Sequence, residues 1–108
     1  KTLFPYTTLF RSWKTVVTHN PDGEYGHTHH QMTSYIVSKD SRVDMNQLVY
    51  FGRYYKKKNL PHNLNSISQR DLEKKMKLTS MYSSQSKVMD HLGHMLPHEN
   101  WVKAKDWR

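Results

Sequence analysis

The sequence predicts a small α/β domain. Two runs rich in β-branched and aromatic residues alternate with two segments of helical periodicity along the 108 residues. Hydrophobic residues make up 35% of the chain and are spread along it, which favours a folded domain over a disordered one. The core is expected to be thin, because a short chain buries a small fraction of its surface.

The first strand and the loop after it are predicted from residues 13–26. The run WKTVVT at 13–18 is β-branched and ends at turn-prone residues, which is typical of a strand. Residues 19–26 contain Asn-Pro, Asp-Gly and a further Gly, so we expect a loop there.

The first helix is predicted over residues 27–39, where no residue breaks the helical pattern. Its spacing places His30, Ser34 and Val37 on one side. Three further apolar side chains, Met32, Tyr35 and Ile36, lie next to that side.

A second strand and a second helix follow. Residues 47–54 are nearly continuously apolar, as in a strand covered on both faces. Residues 67–81 predict a helix with Ser68 three residues before Asp71, a capping arrangement, and we expect it to continue to residue 92. Its Met76 and Met81, with Met89 and Met95 further on, are expected to fill the core.

No strand is predicted in the tail, where Trp101 and Trp107 need a surface to pack on. Two strands do not make a sheet with a full core. We therefore expect that part of the domain lies N-terminal to this sequence and that the sheet is incomplete.

Composition narrows the classes of function. The net charge of +8 is compatible with an anionic partner or with an exposed basic face. The chain has no cysteine, so any metal must be bound by His, Asp or Glu. Neither a membrane span nor a signal peptide is predicted, and we favour a cytoplasmic location.

The first twelve residues need a separate interpretation. The segment TLFPYTTLFRS at 2–12 resembles the translation of a common sequencing adapter. We expect residues 1–12 to be foreign, although Leu3, Phe4 and Tyr6 also suit a strand. The domain is therefore assigned to residues 13–108.

Histidines cluster where the first strand gives way to the first helix. His27 and His30 are three apart, so one helical turn brings them to the same side. Ligands of open α/β sheets bind at the carboxyl ends of strands, and imidazole is a preferred zinc ligand. Two solvated histidines at a helix start remain the alternative, and His29 between them is expected to point elsewhere.

Two segments resemble one enzyme family. THNPDGEYGHTHH, after a VV strand and before a helix, resembles the GHxxH segment of the LmbE-like N-acetylglucosaminyl deacetylases, the PIG-L family. The later DLEKKMKLTSMYSSQ, with Tyr82, Ser84 and Gln85, is also similar to that family. The resemblance implies a Rossmann-like fold and zinc-dependent removal of N-acetyl groups from an amino-sugar substrate such as an N-acetylglucosamine derivative.

The resemblance also implies roles for particular residues. His30 would be a zinc ligand, and His27 would assist at the tetrahedral intermediate. Tyr25 is close enough in sequence to donate a hydrogen bond to the developing oxyanion, which is our own hypothesis. We expect His19 and Asn20 to contact the substrate, although a strand-end surface position explains His19 equally well.

The chain departs from the family in one respect. Family members carry an early His-Pro-Asp-Asp segment that supplies two metal ligands and the general base, and this sequence has none. A catalytic zinc site uses three protein ligands plus water. We therefore expect residues 13–108 to be the C-terminal part of the enzyme domain, inactive by themselves.

A basic run offers an alternative function. Residues 53–58, RYYKKK, mix cations with aromatic side chains, a combination that binds single-stranded nucleic acid in some proteins. A small basic module that binds nucleic acid or another anion is therefore the alternative. A strand end followed by a solvated loop is the preferred interpretation, so no nucleic-acid partner is expected. His91, His94 and His98 are spaced for a second metal site, but Gly93 and Pro97 argue against a continuous helix there.

Overall fold

The computed structural model describes residues 13–81, 87, 90 and 92–108. The chain divides into two compact units, the first from residues 1–53 with 101–108 and the second from residues 54–100. The described part of the first unit holds three strands, β1 (Val16–Thr18), β2 (Leu48–Phe51) and β3 (Trp101–Lys103), and two helices, α1 (Gly23–Gly26) and α2 (Thr28–Lys39). The second unit holds α3 (Gln69–Thr79).

The strands form one mixed sheet in the order β1-β2-β3. β1 and β2 are parallel, with Thr18 opposite Tyr50, and α2 lies on the connection between them. β3 pairs antiparallel with β2, with Trp101 opposite Phe51. The α/β class is therefore confirmed.

The two predicted strands form over shorter ranges than expected, and β3 was not predicted. β3 has only three residues, too few to show a period of two in the sequence. Its geometry comes from hydrogen bonding to β2, a partner about fifty residues away along the chain. The sequence therefore showed two strands of the sheet but not the third.

Helix α2 confirms the first predicted helix. Its N-cap is His27, whose Nδ1 accepts a hydrogen bond from the backbone N–H of His29 at 3.2 Å. The side that carries Ser34 and Val37 faces inward, because Ser34 is 1% exposed and Val37 packs on the core. The outer side carries the exposed apolar residues Met32, Tyr35 and Ile36.

The core of the first unit is small, as its size requires. Among the residues that the structure describes in this unit, the buried apolar ones are Leu48, Tyr50 and Ala104. Trp107 packs against them, and its ring meets that of Tyr50 edge-on with centroids 5.7 Å apart. The tail therefore completes this core.

Helix α3 begins as predicted but is less buried than expected. Ser68 Oγ accepts a hydrogen bond from the backbone N–H of Asp71 at 3.1 Å, which confirms the cap. No residue of α3 is buried, and Met76 and Met81 are 52% and 75% exposed. Their predicted role as core fillers was wrong, because spacing shows which residues share a face but not whether anything covers it. Met89 and most of the predicted continuation to residue 92 lie outside the described residues.

Other contacts of the second unit join the middle of α3 to residues 96–99. Lys75 Nζ donates to the carbonyl of Leu96 and pairs with Glu99, each at 2.9 Å. Of the helices that the structure describes, none combines the length and the hydropathy needed to cross a bilayer.

Candidate metal centre

The candidate site lies on the loop that follows β1. His19 comes directly after this strand, Glu24 lies in α1, and His30 lies in the first turn of α2. β1 pairs in parallel with β2, so the loop that follows β1 lies at the carboxyl end of a parallel strand pair. A glycine allows the close packing of α1 on α2, because a Cβ on Gly23 (φ 66°) would lie 2.7 Å from Gln31 Cγ.

One carboxylate oxygen lies between two imidazoles. Glu24 Oε1 is 2.5 Å from His19 Nδ1 and 3.0 Å from His30 Nδ1. The two imidazole rings stack almost in parallel, with centroids 3.9 Å apart and planes 8° apart. All three side chains are largely covered, with between 19% and 30% of each exposed.

His30 is held in a form suited to binding a metal. Its Nδ1 is buried, and the contact with Glu24 lacks the direction of a hydrogen bond, which leaves this atom unsatisfied. Burial lowers the pKa of His30, and so does the nearby His19, while the Glu24 carboxylate opposes both effects. The lowered pKa favours the neutral imidazole, the form that binds metal ions.

Glu24 occupies a strained backbone conformation. Its φ of 60° and ψ of −84° lie near the rare classic γ-turn, and it is the one described residue other than glycine with positive φ. Such strain costs of order 1–3 kcal/mol and concentrates at functional sites. The local fold therefore holds this carboxylate in place against a backbone preference.

The donor set fits a metal ion. Each of the three side chains offers one ligand atom, and these atoms lie within 4.8 Å of one another. Two imidazoles and one carboxylate are also the protein ligands of several catalytic zinc sites. Together with the unsatisfied Nδ1 of His30, this geometry means that the group could hold a metal ion.

The structure brings four predicted site residues together. His30 lies in the candidate metal group, and His27 stacks on it with ring centroids 4.2 Å apart. The Tyr25 ring meets His27 and His30 edge-on at 6.1 and 6.0 Å between centroids. His19, expected at the substrate, lies in the candidate metal group instead.

Asn20 does not face a substrate. Its side chain is fully buried, its Oδ1 accepts two backbone N–H bonds, and its Nδ2 donates to two backbone carbonyls. An amide has no further donor hydrogen after these bonds, so this residue serves the loop itself.

Glu24 is the site residue that sequence reasoning missed. It sits between His19 and His30 in the segment HNPDGEYGHTHH. A carboxylate between histidines near a strand end is a recognisable signal for a metal site. Its strained backbone, which turns the carboxylate toward both rings, has no counterpart in the residue pattern.

The other candidate features show no such convergence. Lys56, Lys57 and Lys58 are exposed, while Tyr54 is half-buried with its ring edge-on to His94. His94 Nε2 lies 2.6 Å from the Tyr55 carbonyl, so His94 already has a backbone partner. Among the residues described, His19, Glu24 and His30 form the only potential metal group. His91 and the Tyr82, Ser84 and Gln85 segment lie outside the described residues.

Comparison with known proteins found no match: no family model, no curated protein and no solved structure matches the chain. The candidate metal group and the α/β fold are therefore the observations on which a proposed function rests.

Proposed function

We propose that this chain is part of a zinc-dependent hydrolase that removes N-acetyl groups from amino sugars, and that it carries the zinc ligands but lacks the general base. The observation that carries the proposal is the convergence of His19, Glu24 and His30 at the carboxyl end of β1. The resemblance of THNPDGEYGHTHH to the LmbE-like deacetylases supports the reaction and the Rossmann-like domain.

Each residue of the site has a chemical task in this proposal. His19, Glu24 and His30 would hold the zinc ion, which when bound polarises the acetyl carbonyl and acidifies the attacking water. His27, stacked on His30, would stabilise the tetrahedral intermediate as a cation or proton donor. Tyr25 would donate its hydroxyl proton in a hydrogen bond to the oxyanion.

This chain is expected to bind zinc without hydrolysing N-acetyl groups. The sequence contains no His-Pro-Asp-Asp segment, the part that supplies the general base in the deacetylases it resembles. Removing the proton of the attacking water needs a base within hydrogen-bond reach, and Glu24 is already placed between two imidazoles. We therefore expect zinc binding without release of acetate.

The first test is metal binding by the purified chain. Titration with Zn²⁺ in a calorimeter, and with Co²⁺ as a coloured substitute, is expected to show saturable binding. Replacing His30 by Ala or Glu24 by Gln should weaken the affinity by about tenfold or more, because each change removes one ligand of a small set. His29→Ala is the matched control, since this exposed imidazole on the same turn is outside the group.

Two results would each contradict a different part of this proposal. Equal affinity for zinc in the wild type and in His30→Ala would contradict the metal centre. Acetate released from N-acetylglucosamine above a chelator-treated control would contradict the expected separation, and would show that the chain is catalytically complete.

A further inference from the structure

Asn20 connects the loop that follows β1, which carries His19 and Glu24, to the sheet. Its Nδ2 donates to the carbonyls of Phe51 and Gly52, at 3.1 and 3.0 Å, where β2 ends. Its Oδ1 accepts the backbone N–H bonds of Asp22 and Glu24, each at 3.0 Å. One side chain therefore joins two segments that are about thirty residues apart along the sequence.

The same residue orients the Glu24 carboxylate directly. The backbone N–H of Asn20 donates to Glu24 Oε2 at 3.0 Å, which leaves Oε1 facing His19 and His30. Asn20 thus contacts Glu24 at both its backbone N–H and its carboxylate. These are the two places that must be restrained if a strained residue is to keep its side chain on a fixed point.

The burial of Asn20 makes this arrangement rigid. The residue is 0% exposed, and both donor hydrogens and the acceptor oxygen of its amide are used. A buried amide that loses one partner leaves the others unsatisfied, so its bonds hold as a set. The Phe51 carbonyl belongs to β2 and the Gly52 carbonyl directly follows it, so the sheet anchors both acceptors.

From these contacts we infer that Asn20 is a positioning residue, which holds the Glu24 carboxylate ready to bind a cation between His19 and His30. The inference rests on the proposed function only in that the cation is the zinc ion of that site. Asn20 itself does not touch the metal, because its amide is fully occupied by backbone groups. It acts through Glu24.

The test compares Asn20→Ala with Tyr50→Phe. The Tyr50 hydroxyl bonds with Ser38 Oγ at 2.7 Å, so Tyr50→Phe removes a partly buried hydrogen bond from the same unit and leaves the hydrogen bonds of Asn20 in place. Zn²⁺ affinity, measured by calorimetry on folded protein, should fall about tenfold or more in Asn20→Ala. It should stay within about twofold of wild type in Tyr50→Phe.

A second measurement needs no metal. With a chelator present, amide hydrogen exchange at Glu24 should be faster in Asn20→Ala than in wild type, because the N–H loses its acceptor. Tyr50→Phe should leave this amide unchanged. If Asn20→Ala does not fold, Asn20→Ser replaces it, since a hydroxyl can still accept from one loop N–H but cannot reach both β2 carbonyls.

The results distinguish this inference from the proposed function. A wild type that binds zinc through His30, with Asn20→Ala binding within about twofold and Glu24 exchange unchanged, overturns the positioning role. Equal losses of affinity in Asn20→Ala and Tyr50→Phe also overturn it, because they indicate general destabilisation. A wild type that does not bind zinc contradicts the proposed function, while faster exchange at Glu24 still supports the positioning role.

Discussion

Replacing Glu24 by Gly should give a more stable protein than replacing it by Ala, the reverse of the usual order. Both changes remove the carboxylate, so its lost contacts cancel in the comparison. What remains is the backbone, whose φ is 60° at this position. Alanine keeps the strain there and glycine relieves it, because glycine has no Cβ.

The size of the difference follows from two opposing effects. The strained conformation costs a residue with a Cβ of order 1–3 kcal/mol. Glycine loses more conformational freedom on folding and is worse than alanine by roughly 0.5–1 kcal/mol at an unstrained position. The free energy of unfolding of Glu24→Gly is therefore expected to be about 1 kcal/mol higher than that of Glu24→Ala. This corresponds to a difference in Tm of about 4–8 °C for a domain of this size.

Urea unfolding followed by tryptophan fluorescence measures this difference. The three tryptophans of the chain, Trp13, Trp101 and Trp107, all belong to the unit that contains Glu24. A chelator in both samples removes any contribution from bound metal. His29 supplies the control pair, since it lies in the first turn of α2, where Ala should be more stable than Gly.

A single outcome contradicts this prediction. If the Ala variant at Glu24 is as stable as the Gly variant or more stable, as at His29, then Glu24 does not carry backbone strain in solution. The loop would then not hold the Glu24 carboxylate against a backbone preference.

Two further predictions concern pH and helix capping. Hydrogen bonds from the side chain and the backbone N–H of Arg42 lower the pKa of Asp40 from 3.8 to about 2. The stabilisation that Asp40 provides is therefore complete above its unfolded pKa and is lost as the pH falls toward its folded pKa. In urea unfolding at several pH values, the free energy of unfolding should therefore decline less with falling pH in Asp40→Asn than in wild type. Ser68→Ala should destabilise α3 by about 1 kcal/mol, because the N–H of Asp71 loses its acceptor, and circular dichroism should show less helix than in Ser80→Ala.

Local patterns along the chain were enough for most of the secondary structure. The β-branched run before His19, the apolar run that became β2 and the cap at Ser68 act over a few residues, so the sequence displays them directly. The inward side of α2 was also predictable, because helical periodicity alone places Ser34 and Val37 together.

Burial was harder to predict than periodicity. Met76 and Met81 have the spacing and character of core residues, yet both are exposed in the structure. Whether an apolar face is covered depends on segments distant in sequence. The same limit applies to β3, whose three residues form a strand because β2 offers them an edge.

The α/β class and the clustering of histidines where the first strand meets the first helix could be predicted from the residues alone, because strand and helix signals act over a few neighbouring positions. The grouping of Glu24 with His19 and His30, and the bonding of the Asn20 side chain within the loop and to the end of β2, emerge only once the chain is folded. The position of Glu24 depends on a strained backbone and on hydrogen bonds to β2, about thirty residues away along the chain.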